Sequence, residues 1–108
     1  MEKSEFLTQN IFEGLKNKND GFDDESNLYY SESDFEVILQ RIEHFGIGIY
    51  VIKTVLDTKD FESANHEDVK KKATDPKWYN KAFLTFSKRQ EGLLYSATYK
   101  VSKKLLER

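Results

Sequence analysis

The stretch from Ser33 to Leu56 restricts the fold more than any other, because it joins a helix to a strand with no residue to spare. Ser33 can cap a helix, and Glu36, three residues on, can complete a capping box. Phe35, Ile38, Leu39, Ile42 and Phe45 then recur at helical spacing and fall on one face. Gly46 supplies a left-handed stop. From Ile47 to Leu56 β-branched residues dominate, which predicts a strand needing cover on most of both sides. Under strict alternation Ile47, Ile49, Val51 and Val55 face the helices. Tyr50, Ile52 and Leu56 then form an apolar strip on the opposite side, open to the N-terminal helix or to another chain.

The flanking segments extend this unit in both directions. Residues 4–17 read as an N-terminal helix with Ser4 as its cap and Leu7, Ile11 and Leu15 along one face, weakened at Gly14. Residues 17–26 are turn formers and acids, expected as an exposed loop. Asn17, Asn19 and Asp23 offer oxygens there, but not at the spacing of a calcium-binding loop, so no metal is expected. Asn27 to Ser31 suits a short aromatic strand. After the central strand, Asp57 to Asp60 has turn chemistry and Phe61 to Asn65 can return as the second arm of a hairpin.

Asp75-Pro76 marks the next helix, with an Asp cap and a proline where the missing N–H costs nothing. Its apolar face is Trp78, Tyr79, Ala82, Phe83 and Phe86, and it should end near Gln90. Lys77, Lys81, Lys88 and Arg89 are left for water or for an acidic partner. From Leu93 the period is two: Leu93, Tyr95, Ala97, Tyr99 and Val101 alternate with Leu94, Ser96, Thr98, Lys100 and Ser102, predicting a strand with one wet face. Residues 103–108 form a short C-terminal tail whose leucines can dock on the core. The expected fold is α+β, a single domain over residues 1–108. A ferredoxin-like β-α-β-β-α-β core spans 27–102, with an antiparallel sheet, both helices on one face and an added N-terminal helix.

Four groups of residues in the first half, Asn19-Asp20-Gly21, Leu28-Tyr29-Tyr30, Ser33-Asp34-Phe35-Glu36 and Phe45-Gly46, occur in an order that resembles the ribonuclease E inhibitor B family. That family comprises small acidic bacterial regulators, and the likeness implies a regulatory role. It covers residues 6 to 56. The second half follows another pattern, with Tyr95-Ser96-Ala97-Thr98-Tyr99 and the single tryptophan on a helix.

Composition narrows the function classes. Charged residues are 33% of the chain, yet aromatics reach 14%, enough for a packed core. With no cysteine, thiolate nucleophiles, disulfides and Cys-based zinc sites are excluded. No apolar run nears the roughly 20 residues of a membrane span, and the N-terminus opens no signal-peptide pattern, so a cytoplasmic protein is expected. His66, Glu67 and Asp68 are the best acid–base cluster, but no hydrolase triad, zinc-protease motif or phosphate loop accompanies them. Neither a catalytic site nor a cofactor is expected.

The net charge is −2, but residues 1 to 40 carry ten acids against three bases, and residues 69 to 108 carry eleven bases against three acids. The basic half, interleaved with Trp78, Tyr79, Tyr95 and Tyr99, has the composition of a single-stranded nucleic-acid surface. The aromatics of the last strand fall on its apolar side, however, so the leading expectation is a small regulatory or protein-interaction module. It would bind a protein partner, or itself as a homodimer, through Tyr50, Ile52 and Leu56, and an acidic partner through Lys77, Lys81, Lys88 and Arg89.

Overall fold

A computed structural model describes residues 1–107 of the 108-residue chain. The elements are α1 (Lys3–Asn10), α2 (Glu32–Phe45), β1 (Gly48–Leu56), β2 (Lys59–Asn65), α3 (Pro76–Arg89), β3 (Leu94–Lys100) and α4 (Lys103–Leu106). The three strands make one antiparallel sheet in the order β2-β1-β3. The α+β class and the antiparallel sheet are therefore as the sequence predicts. Among the described residues no helix is long and apolar enough to cross a membrane.

The expected strand at 27–31 is reduced to one pair. Tyr30 exchanges both backbone hydrogen bonds with Tyr95 at 2.9 and 2.8 Å, on the outer edge of β3. Tyr29 points the other way: its N–H donates to Asn17 Oδ1 at 2.9 Å, and its carbonyl accepts from the Lys18 N–H at 2.7 Å. The residues before it are drawn into a loop, so the ladder stops. Counting Tyr30, the sheet holds two interleaved βαβ units. The Tyr30 segment runs parallel to β1 with β3 between them, and β2 runs parallel to β3 with β1 between them. The would-be first strand thus lies at the edge rather than inside the sheet as in a ferredoxin-like fold.

Caps set the two long helices. Ser31, not Ser33, caps α2, its hydroxyl accepting from the Asp34 N–H at 3.3 Å. Gly46 closes α2 at φ +69°, as its sequence position requires. Asp75 caps α3 through the Lys77 N–H at 2.9 Å, with Pro76 in the first turn. Both helices press their apolar faces on one side of the sheet. Phe35 of α2 stacks on Tyr95 of β3 at 5.1 Å, and Phe83 of α3 meets the same ring at 5.1 Å.

The N-terminal helix is shorter than the expected 4–17 span. It ends at Asn10, and the chain then turns through Gly14 at φ +79°. Phe6 meets Phe45 of α2 at 5.5 Å, and the Arg41 guanidinium donates to the carbonyls of Ile11 and Glu13, both at 2.8 Å. This holds α1 beside α2, on the helix side of the sheet. In the tail, Leu105 and Leu106 of α4 pack partly buried against the core. Residue 108 lies outside the described residues.

The strip of Tyr50, Ile52 and Leu56 does not form, because β1 carries a bulge. Ile49 pairs with Tyr99 and Val51 with Thr98, which leaves Tyr50 as an extra residue and reverses the alternation beyond it. Ile52 therefore joins Ile49 on the helix side and is 0% exposed, and Leu56 packs against the core. Val51 and Val55 face the other way, opposite to the expectation. Only Tyr50 stays open, at 39%. The bulge is held from the side: the Ile49 N–H donates to the Ala73 carbonyl at 2.9 Å, Trp78 Nε1–H to the Ile49 carbonyl at 3.2 Å, and the His66 N–H to the Tyr50 carbonyl at 3.1 Å. Gly48 lets the Ala73 loop come this close, since a Cβ there would sit 3.0 Å from the Ala73 carbonyl carbon.

The bulge assigns opposite costs to neighbouring residues. Ile52→Ala should lose about 2–5 kcal/mol in denaturant unfolding, as buried isoleucines do. Tyr50→Ala should stay within about 1 kcal/mol, as exposed sites usually do. Equal costs at the two positions would contradict the bulged register.

Candidate functional site

The sheet face away from the helices is covered by the acidic loop. Asn19 folds that loop: its side-chain amide donates to the carbonyls of Asp23, Asp24 and Asn27 at 3.2, 2.9 and 2.8 Å, and its Oδ1 accepts from the Gly21 N–H at 3.1 Å. Phe22 is brought to 4.9 Å from the Tyr29 ring. The Tyr29 hydroxyl donates to Asp23 Oδ2 at 2.6 Å, and Lys53 Nζ stands 3.6 Å from Asp23 and 3.4 Å from Asp60. Tyr29 is fully buried and Val55 nearly so. The segment is a loop exposed over most of its length, as expected, and its half-buried Asn19, Phe22 and Asp23 fit it to the sheet. The Tyr29 hydroxyl, the Asp24 N–H and, more weakly, Lys53 hold the Asp23 carboxyl below its ordinary range.

The loop lies on the sheet face opposite α3, so its acids do not reach the lysines of that helix. Lys77, Lys81, Thr85 and Arg89 recur every four residues and run down the flank of α3 that faces β2. The adjoining stripe of Trp78, Ala82 and Phe86 makes an apolar floor, continued by Ala64 and Val69. Together they line a groove of about 550 Å³ between α3 and β2. At one end the Arg89 guanidinium pairs with Glu62 and lies 5.9 Å over the Phe61 ring. At the other end, beside the 66–72 loop, stands Lys71. Among the described residues Lys71, Lys77 and Lys81 make no ion pair.

Of the residues singled out in the sequence, the groove brings together Lys77, Lys81 and Arg89. Lys88 lies outside it, and Ile52 is in the core. Trp78 and Phe86, on the apolar face of α3, also form the floor. Ala64, Val69 and Lys71 were not singled out for a site. The four-residue recurrence on α3 was the one local signal, while the opposing strand edge depends on sheet order.

His66 Nε2 stands 3.9 Å from Glu67 Oε1, the nearest acid to either histidine among the described residues. His66 Nδ1 lies 2.9 Å from the Lys71 carbonyl, and its ring sits between Tyr50 at 5.9 Å and Trp78 at 6.5 Å, so it staples the 66–71 turn. His44 is exposed at the end of α2, edge-on to Phe45. Among the described residues no group of three His, Asp or Glu side chains could hold a metal. The rings that suggested base stacking are interior: Trp78, Tyr79, Tyr95 and Tyr99 are all buried. The hydroxyls of Tyr79 and Tyr95 have no partner among the described residues, and burial pushes both up to about 12. No family model, curated protein or solved structure matches the chain.

Two pH responses follow. Asp23 has a lowered folded-state pKa, so its contribution is complete above the unfolded value and is lost as pH falls through the folded one. Thermal unfolding followed from about pH 5 downward should show an acid limb below about pH 4 that is flatter in Asp23→Asn. Tyr95 has a raised value, so its contribution is complete below about pH 10 and is lost as pH rises toward 12. Tyr95→Phe should flatten that alkaline limb. It should be close to neutral at pH 7, since it removes a buried hydroxyl without a partner.

Proposed function

We propose that this chain is a non-catalytic binding module that takes an acidic segment of a protein partner into the groove between α3 and β2. The observation that carries this reading is the row of Lys77, Lys81 and Arg89 set beside the apolar floor of Trp78, Ala82 and Phe86. A row of cations over a wet surface would favour any polyanion. A floor of this kind selects a ligand whose carboxylates are interleaved with apolar side chains, because burying those side chains supplies the affinity and the charges supply orientation.

Nucleic acid is the poorer fit. It would need exposed rings on which bases stack, and the aromatic rings of the basic half are buried. The overall net charge of −2 would also repel a long polyanion beyond the groove. The acids of the 17–26 loop sit on the opposite face of the sheet, with Asp23 paired to Lys53, so the loop leaves the groove's potential in place. A regulatory role, as the likeness of residues 6 to 56 implies, belongs to the same class of function: binding without turnover.

A fluorescein-labelled peptide of alternating glutamate and valine should bind, with an affinity that falls as salt rises. Lys81→Glu should weaken it by about tenfold or more, whereas Lys88→Glu, a charge change of the same size outside the groove, should have little effect. Equal losses at Lys81 and Lys88 in an anisotropy titration would point to diffuse charge and sink the groove.

A further inference from the structure

Resting on that reading, we infer that the occupant lies in the groove as an extended strand hydrogen-bonded to the outer edge of β2, so that the three-stranded sheet becomes four-stranded. The backbone of β2 is already oriented for this. The His66 N–H donates to the Tyr50 carbonyl at 3.1 Å, and the antiparallel register from Val51↔Asn65 to Lys53↔Ser63 continues from that pair. Antiparallel ladders alternate, so Ala64 opposite Ile52 directs its N–H and C=O at β1. Ser63 and Asn65 direct theirs outward. The other side of the sheet gives the same phase: Tyr95 spends both backbone groups on Tyr30, so Ser96 and Lys53 bond each other, and Ile52 is left for Ala64. Asn65 uses its carbonyl on the Asp68 N–H at 3.2 Å. The N–H and C=O of Ser63 and the N–H of Asn65 therefore point out of the sheet beside the groove.

Three further features select a strand over other shapes. First, the charged residues that guard an exposed edge, Lys59, Asp60 and Glu62, all fall in the first half of β2, where the register also shifts. From Ser63 to Asn65 the edge is uncharged. Second, β2 lies antiparallel alongside α3, since Glu62 meets Arg89 at one end and His66 meets Trp78 at the other. Third, the spacings match. Alternate side chains of an extended strand repeat every ~6.7 Å, and the residues of the Lys77-Lys81-Thr85-Arg89 row repeat every ~6 Å along the helix axis. An added strand can thus place one set of side chains on the apolar floor and acids at its margin against Lys77 and Lys81, while its backbone pairs with Ser63 and Asn65.

The test uses the full-length chain and the alternating glutamate–valine peptide in three forms: unmodified, N-methylated at the residues whose N–H groups would face Ser63, and N-methylated at the intervening residues. Strand addition predicts that the first methylation set weakens binding about tenfold or more, while the second leaves it nearly unchanged. It also predicts slowed amide exchange at Ser63 and Asn65 when the unmodified peptide is bound. Ser63→Pro removes one outward N–H at an edge position where proline is tolerated, and should weaken the unmodified peptide as the first methylation set does. If both methylated peptides bind as well as the unmodified one while Lys81→Glu still abolishes binding, the groove stands and strand addition is wrong. If Lys81→Glu has no effect, or no form binds at low salt, the groove reading fails and this inference falls with it. A sedimentation shift to dimer without peptide, removed by Ser63→Pro, would instead make a second copy's β2 the occupant and overturn the acidic segment.

Discussion

The rest of the structure hangs on the three hydrogen bonds that hold the bulge at Tyr50. Ala73 and Trp78 take the N–H and carbonyl of Ile49, which pairing with β3 would otherwise use, and the His66 N–H takes the Tyr50 carbonyl as the end of the β2 ladder. The extra residue changes which side of β1 is buried from Val51 onward, and so it selects Ile52 rather than Val51 as the core residue of that strand. It also draws the 66–73 segment across the end of the sheet. That segment carries Val69 and Lys71, so one device sets both the phase of the core and one end of the groove. Gly48 favours the close approach, since a Cβ there would crowd the Ala73 backbone at 3.0 Å.

The acidic loop and the basic flank of α3 lie on opposite faces of the sheet. Asn19 organises the acidic loop through its own side chain, and Tyr29 and Lys53 fasten it to the sheet. Of those acids, Asp23 is paired with Lys53 of β1. On the basic flank of α3, on the other side of the sheet, the one ion pair among the described residues is Glu62 with Arg89. A chain with a net charge of −2 can therefore present one cationic groove, and the two faces can be tuned independently.

Much of this was legible in the sequence where the signal is local. Gly46 and Asp75-Pro76 each mark a helix boundary by a conformational requirement of their own, and both fall where expected. The period of Leu93 to Val101 correctly turned Tyr95 and Tyr99 toward the helices, which removed them as a stacking surface. What was not legible depends on residues far apart. Nothing in Ile49-Tyr50-Val51 announces a bulge, because its cause lies in His66, Ala73 and Trp78. The strand around Tyr29 looked independent, but its length is cut by Asn17 and Asn19, whose hydrogen bonds pull the preceding residues away. Half of the candidate site was readable as the basic stripe on α3, and the other half, the β2 edge, became visible only with the strand order.

Trp78 occupies an unusual position. Its indole N–H is bonded to the strand backbone, its ring is 4% exposed, and the same ring belongs to the floor of the groove. As the chain's single tryptophan, it is the one fluorophore of its kind. Its emission should therefore report two events through one chromophore: a red shift when the fold opens to water, and a change in yield or in quencher access when the groove beside it is filled. Because core and floor share this side chain, occupancy and unfolding are thermodynamically linked at one place, and an occupant that seals the ring should raise the unfolding midpoint as it changes the light the ring emits.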